Sequence, residues 1–119
     1  MNLDEYLTLV IETNTDVFIR EDLIINDNFD TDKLLVLCTK AIPRERLLEA
    51  WSIIISSVIN KFKDCKEVKF FPDNVLDFLI ENDIDLVGLG HLRLPDKYLN
   101  KIYEKDKNCW EAKENLISL

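Results

Sequence analysis

At 119 residues, 47% apolar and 32% charged, the chain has the make-up of one globular domain rather than of a disordered segment. Two glycines and three prolines are too few for the turns of a β-sandwich or for a phosphate-cradling loop, and point to an all-α domain. A net charge of −8 sets the chain against direct binding to nucleic-acid backbones or to anionic membranes.

The first predicted helix covers residues 3–13. Asn2 stands at the N-cap, Asp4 and Glu5 favour the positive end of the helix dipole, and Leu3, Tyr6, Leu7, Val10 and Ile11 recur at helical spacing. Asn14-Thr15-Asp16 ends it. Residues 17–25 read either as two strand-like runs, Val17-Phe18-Ile19 and Leu23-Ile24-Ile25, or as a short helix started by Asp16; the scarcity of glycine favours the helix. Asn26–Asp30 is a loop. Asp30 or Thr31 then caps a helix reaching Lys40, with Leu34, Leu35, Leu37 and Cys38 inward.

Pro43 opens the strongest element, a helix over 43–63. Leu47, Leu48, Trp51, Ile54, Ile55, Val58, Ile59 and Phe62 fall on one stripe about 140° wide. Ser56 and Ser57 lie opposite and permit close packing there too. A lysine-rich connector follows over 64–70, with a short extended piece around Val68. Pro72-Asp73 opens a helix to about Asn82, Asp83 caps a short one through Leu89, Pro95-Asp96 opens the next, and Asp106 caps the last, with Cys109 and Trp110 inward.

The last four of these helices form two similar pairs. Phe71-Pro72-Asp73 matches Leu94-Pro95-Asp96, and at the same offset Leu76 meets Leu99, Leu79 meets Ile102 and Asp83 meets Asp106. This unit resembles short helical repeats of the HEAT-like or leucine-rich-variant type. The resemblance covers residues 71–117 and implies α-α superhelical packing in the C-terminal half. Two helix pairs sharing one capping pattern would look the same. The expected organisation is a single domain over 1–119, with an acidic part over 1–40, the long helix over 43–63 and the two repeats over 71–117.

No catalytic constellation stands out. His91 is the one histidine, and Cys38, Cys65 and Cys109 form no CxxC pair, so buried reduced thiols are expected. Asn26–Asp32 has the oxygen-bearing side chains of a calcium loop, but Thr31 and Leu37 stand where the glycine and bidentate glutamate belong. The chain is therefore read as a non-enzyme without cofactor or metal. No apolar run nears the ~18 residues of a membrane span, and Met1–Glu5 has no basic start, so a cytoplasmic place is expected. The excess of Lys, Asn and Ile over Arg and Ala suggests an AT-rich bacterial or phage genome.

Charge is unevenly spread. Residues 1–40 hold nine acids against three bases, and six of those acids fall between residues 16 and 32. Asp16, Phe18, Glu21, Asp22, Asp27, Phe29, Asp30 and Asp32 together combine carboxylates with aromatic rings, a pattern suited to docking a basic protein partner. In size, acidity and lack of catalytic motif the chain resembles bacterial toxin-immunity proteins, including those of contact-dependent growth inhibition and related polymorphic toxin systems. That resemblance implies binding to a basic, nuclease-like toxin and occlusion of its cleft. A helical-repeat adaptor or a phage-encoded inhibitor of another protein is the alternative. A small enzyme using His91 is the third reading.

Overall fold

The computed structural model describes residues 1–13, 22–64 and 68–106, and among these the secondary structure is helical. Helix α1 (Leu3–Thr8) starts as its sequence dictates: Asn2 Oδ1 accepts from the Glu5 N–H at 2.8 Å. It buries Leu3, Tyr6 and Leu7, then widens into a π-helical turn over Leu9–Thr13. Helices α2 (Lys33–Thr39), α3 (Arg44–Lys61), α4 (Asp73–Glu81), α5 (Leu86–Gly90) and α6 (Asp96–Lys105) follow. Prolines 43, 72 and 95 each stand directly before a helix, at α3, α4 and α6, where a missing N–H leaves no gap in the hydrogen-bond ladder.

Residues 22–25 are extended, not helical. Leu3 N donates to Ile24 O at 2.9 Å and Ile24 N donates to Met1 O at 3.1 Å, a short parallel bridge to the N-terminus. Leu23 and Ile25 point inward while Ile24 is 61% exposed, the alternation of an extended segment. Scarcity of glycine does not decide against extension here, because backbone partners come from the chain start and from α3. Ser57 supplies one of them. Its Oγ accepts from the buried Leu23 N–H at 2.9 Å and donates to the Ile53 carbonyl at 2.8 Å. The serine side of α3 thus does receive a close neighbour.

The other side of α3 makes the core. Trp51, Ile54, Ile55 and Val58 are buried and Leu47, Leu48, Ile59 and Phe62 pack at its edge. Trp51 is 0% exposed, and its indole N–H meets no acceptor among the described residues. An unpaired donor costs about 1–3 kcal/mol. Burying an aromatic side chain of 150–250 Å² at ~25 cal/mol per Å² offsets that with about 4–6 kcal/mol.

Helices α4 and α6 lie side by side and run the same way. Lys97, Lys101 and Lys105 on α6 meet Asp73, Asp77 and Asp83 in that order, at 3.9, 3.6 and 3.0 Å. Lys105 also donates to the Ile80 and Glu81 carbonyls at 2.6 and 3.2 Å, closing the C-terminal end of α4. The leading helices of the two sequence-matched pairs therefore stack in parallel. The second helix of the second pair, with Cys109 and Trp110, lies outside the described residues. One detail of the repeat is corrected. Asp83 does not cap α5; it takes a left-handed backbone (φ 54°) two residues earlier, and Asp85 is the cap. Asp106, its supposed match, is extended at the end of α6.

The true cap explains one glycine. Asp85 is itself left-handed (φ 45°), a conformation aspartate tolerates better than most residues, and its Oδ1 accepts from Gly88 N at 3.3 Å. A Cβ on Gly88 would stand 2.4 Å from Asp85 Oδ2. The carboxylate folds over this position, so the residue beneath it has no side chain.

Candidate partner-binding site

The site is built on the stretch between the extended segment and α2. Lys61 of α3 holds the segment's end by donating to the Ile25 carbonyl, and Ser57 holds its start through Leu23. From there the chain turns: Phe29 N donates to Asn26 O at 3.0 Å. Asp30 uses its Oδ1 to accept from Asp32 N at 3.0 Å, an Asx-type turn that leads into α2. Asp32 occupies the N-cap of α2 with a helical backbone (φ −65°, ψ −22°), so its carboxylate makes no cap hydrogen bond. The side chains of Asp27, Asp30 and Asp32 are exposed, and Asp27 is 99% so.

Of the eight residues singled out from sequence, Asp16, Phe18 and Glu21 lie outside the described residues. Asp27, Phe29, Asp30 and Asp32 come together on one loop. Asp22 stands apart: it accepts from Ser56 Oγ at 3.5 Å and from Asn60 Nδ2, which ties it to α3. Beyond the acidic group, Lys33 Nζ reaches back to Asp4 Oδ1 at 2.6 Å. That hydrogen bond and charge hold the Lys33 ammonium above its ordinary pKa.

Phe29 is half-buried and stacks on Phe70, with ring centroids 5.8 Å apart and planes 20° from parallel. Phe70 also meets Phe62 at 5.8 Å and, edge-on, Phe71 at 5.3 Å. These are the offset and T-shaped arrangements that aromatic quadrupoles favour. Phe71 continues inward to Trp51 at 6.5 Å, so the surface rings rest on the core. Between the rings, Ile25 and the loop lies a groove of about 380 Å³, rimmed by Asp27, Lys61 and Lys69.

Sequence reasoning missed Phe62, Phe70, Lys61 and Lys69 as site residues. Phe62 lies on the predicted core stripe of α3, Lys61 inside the predicted helix over 43–63, and Lys69 in the lysine-rich connector. The usable signal was Phe70-Phe71: adjacent rings on an extended stretch face opposite ways, so one of them is left near the surface.

His91 is exposed at the end of α5. The Asp85 carboxyl nearby is raised above the ordinary carboxylate range by burial, against the opposing pull of the Gly88 N–H and the His91 charge. Asp85 is committed to capping α5. Three other groups are raised chiefly by burial: Cys38 to about 11, Tyr6 to about 12 with a smaller contribution from Glu49, and Tyr98 to about 12 with smaller contributions from Asp73 and Asp77. No helix among the described residues is long and apolar enough to cross a membrane. Comparison with protein-family models, with curated proteins and with solved structures finds no match to this chain.

Proposed function

We propose that the chain is a protein-binding domain, not an enzyme, and that its partner docks on the loop over 26–32. Within that class we read it as an immunity or inhibitor protein. It would neutralise a basic, nuclease-like toxin in the cytoplasm by covering the toxin's substrate cleft. The observation that carries this reading is the joint display of Asp27, Asp30 and Asp32 beside the stacked Phe29–Phe70 pair.

A cleft that binds phosphates presents fixed positive charge, and a row of outward carboxylates competes for it while steering the encounter. Charge alone gives rate and register more than affinity, so a desolvated anchor is also needed. Phe29 supplies one: its ring is held by Phe70 before binding, so little side-chain entropy is left to lose. The anchoring of the loop to α3 through Ser57 and Lys61 serves the same preorganisation.

The test is purification of the tagged full chain from its host at low and moderate salt. The expected result is a stoichiometric basic protein that is toxic when expressed alone and harmless when co-expressed with this chain. Capture that weakens as salt rises fits the carboxylate row. An acidic partner, or a basic one whose toxicity this chain does not suppress, contradicts the reading.

A further inference from the structure

The groove beside the loop has the composition of a small-ligand site. At about 380 Å³ it falls in the range of such pockets, roughly 300–1,000 Å³, which combine apolar walls with a few convergent polar groups. Phe29, Phe62 and Phe70 form the walls. Two ammonium groups, Lys61 and Lys69, and one carboxylate, Asp27, belong to its lining. Among the described residues this lining carries two cations and one anion, in a chain whose overall charge is −8.

The Asp27–Lys61 pair decides what the groove would take. Lys61 Nζ donates to the Ile25 carbonyl and lies 5.9 Å from the centroid of the Phe62 ring, which fixes it at the groove whatever Asp27 does. Asp27 reaches Lys61 at 3.0 Å while its own side chain is 99% exposed. An ion pair with one partner fully in water contributes little, so Asp27 is an exchangeable occupant of that place on Lys61. We propose that the groove binds a small apolar carboxylate. The ligand's hydrocarbon body lies against the three phenylalanine rings, and its carboxylate replaces that of Asp27 on Lys61, with the charge of Lys69 adding to the attraction. This inference does not rest on the toxin-binding reading, although both use Asp27 and the Phe29–Phe70 pair.

The experiment is an amide-resolved NMR titration of the full chain with three probes of one shape: 3-phenylpropionate, 3-phenylpropionamide and 3-phenylpropylammonium. Probes this small bind in the millimolar range. The carboxylate should shift amides over 25–31, 61–62 and 69–70, and bind about two- to fivefold more tightly than the amide, as an exposed ion pair allows. The ammonium should bind least. Asp27→Asn should tighten carboxylate binding by about the same factor, because it removes the internal competitor. Lys61→Arg should preserve the preference for the carboxylate and Lys69→Met should reduce it, neither variant removing the hold on Ile25. Amide and carboxylate binding equally, an Asp27→Asn variant with no gain, or carboxylate shifts lying elsewhere would each overturn the proposal. Asp27→Asn also separates the two ideas, since it removes one of the carboxylates offered to a basic partner. Tighter probe binding beside undiminished partner capture would count against the partner surface alone, and the reverse against the groove alone.

Discussion

Ser57→Ala is the sharpest probe of how this fold positions its loop. The hydroxyl is buried, at 3% exposure, and it bridges the Leu23 N–H to α3. Removing it leaves a buried donor without a partner, at a cost of about 1–3 kcal/mol. Alanine is the better helix former, and the lost bond to the Ile53 carbonyl was of a kind that slightly weakens helices, which together return about 0.5 kcal/mol. The net destabilisation is then about 0.5–2.5 kcal/mol. For a chain of this length that lowers Tm by about 2–10 °C, at roughly 4 °C per kcal/mol. The neighbouring Ser56→Ala serves as control. Ser56 is exposed and its contact with Asp22 is 3.5 Å long, so its change should stay within about 0.5 kcal/mol. Urea or thermal unfolding measures both, and hydrogen exchange at Leu23 should quicken in the Ser57 variant alone. Equal Tm values for the two variants would refute the bridge as an anchor of residues 22–25.

Four further outcomes follow from the same structure. Lys105→Met removes the ammonium that closes the end of α4, and should cost about 1 kcal/mol once partial exposure is discounted. Lys97→Met breaks only an exposed pair at 3.9 Å and should be near neutral by the same unfolding assay. Asp85→Asn keeps a capping side chain suited to a left-handed backbone and removes the buried charge. Because burial raises the folded-state pKa of Asp85, the wild type is relatively stabilised when this group is protonated. That contribution is complete below the ordinary carboxylate pKa and is lost as pH rises through the folded value. The variant should therefore gain on the wild type as pH rises through that window and converge with it in acid. A wild-type advantage that grows toward neutral pH would contradict the sign. Cys38, with its thiol pushed up to about 11, should be alkylated about tenfold or more times slower than after unfolding at mildly alkaline pH, read by mass spectrometry of its peptide in the two states.

Most of the helical architecture is legible in the residues themselves. Three prolines mark three helix starts, and the α3 stripe from Leu47 to Phe62 identifies the face that meets the core. The parallel stacking of α4 and α6 agrees with the Pro-Asp match between their starts. What periodicity does not carry is long-range partnership. Residues 22–25 have the alternation of a strand, but their extended form is held by Met1, Leu3 and Ser57, far off in sequence. The cap of α5 is misread for a related reason. Asp83 and Asp85 are alike as capping residues in sequence, and the backbone turn that separates their roles is set by the fold. At the site, the aspartates of one loop are adjacent in sequence and are found together. Phe62 and Phe70 join Phe29 because the end of α3 and the stretch holding Phe70 meet the loop in space, not in sequence.

In the proposed mode of binding, Asp27, Asp30 and Asp32 meet the basic partner. The measurement that bears on it most directly is capture of the host partner by three versions of the full chain at matched stability: wild type, a variant reversing those three residues to lysine, and a control reversing the equally exposed Glu45, Asp64 and Asp96. All three are compared at low and moderate salt, and the two reversals change the net charge by the same amount because each replaces three carboxylates. Reversal of the loop should abolish capture and protection from the partner's toxicity, while the control should retain specific binding and protection. Equal losses in the two variants would mean that only net charge matters, and undiminished capture by the loop variant would place the partner on another face of the molecule.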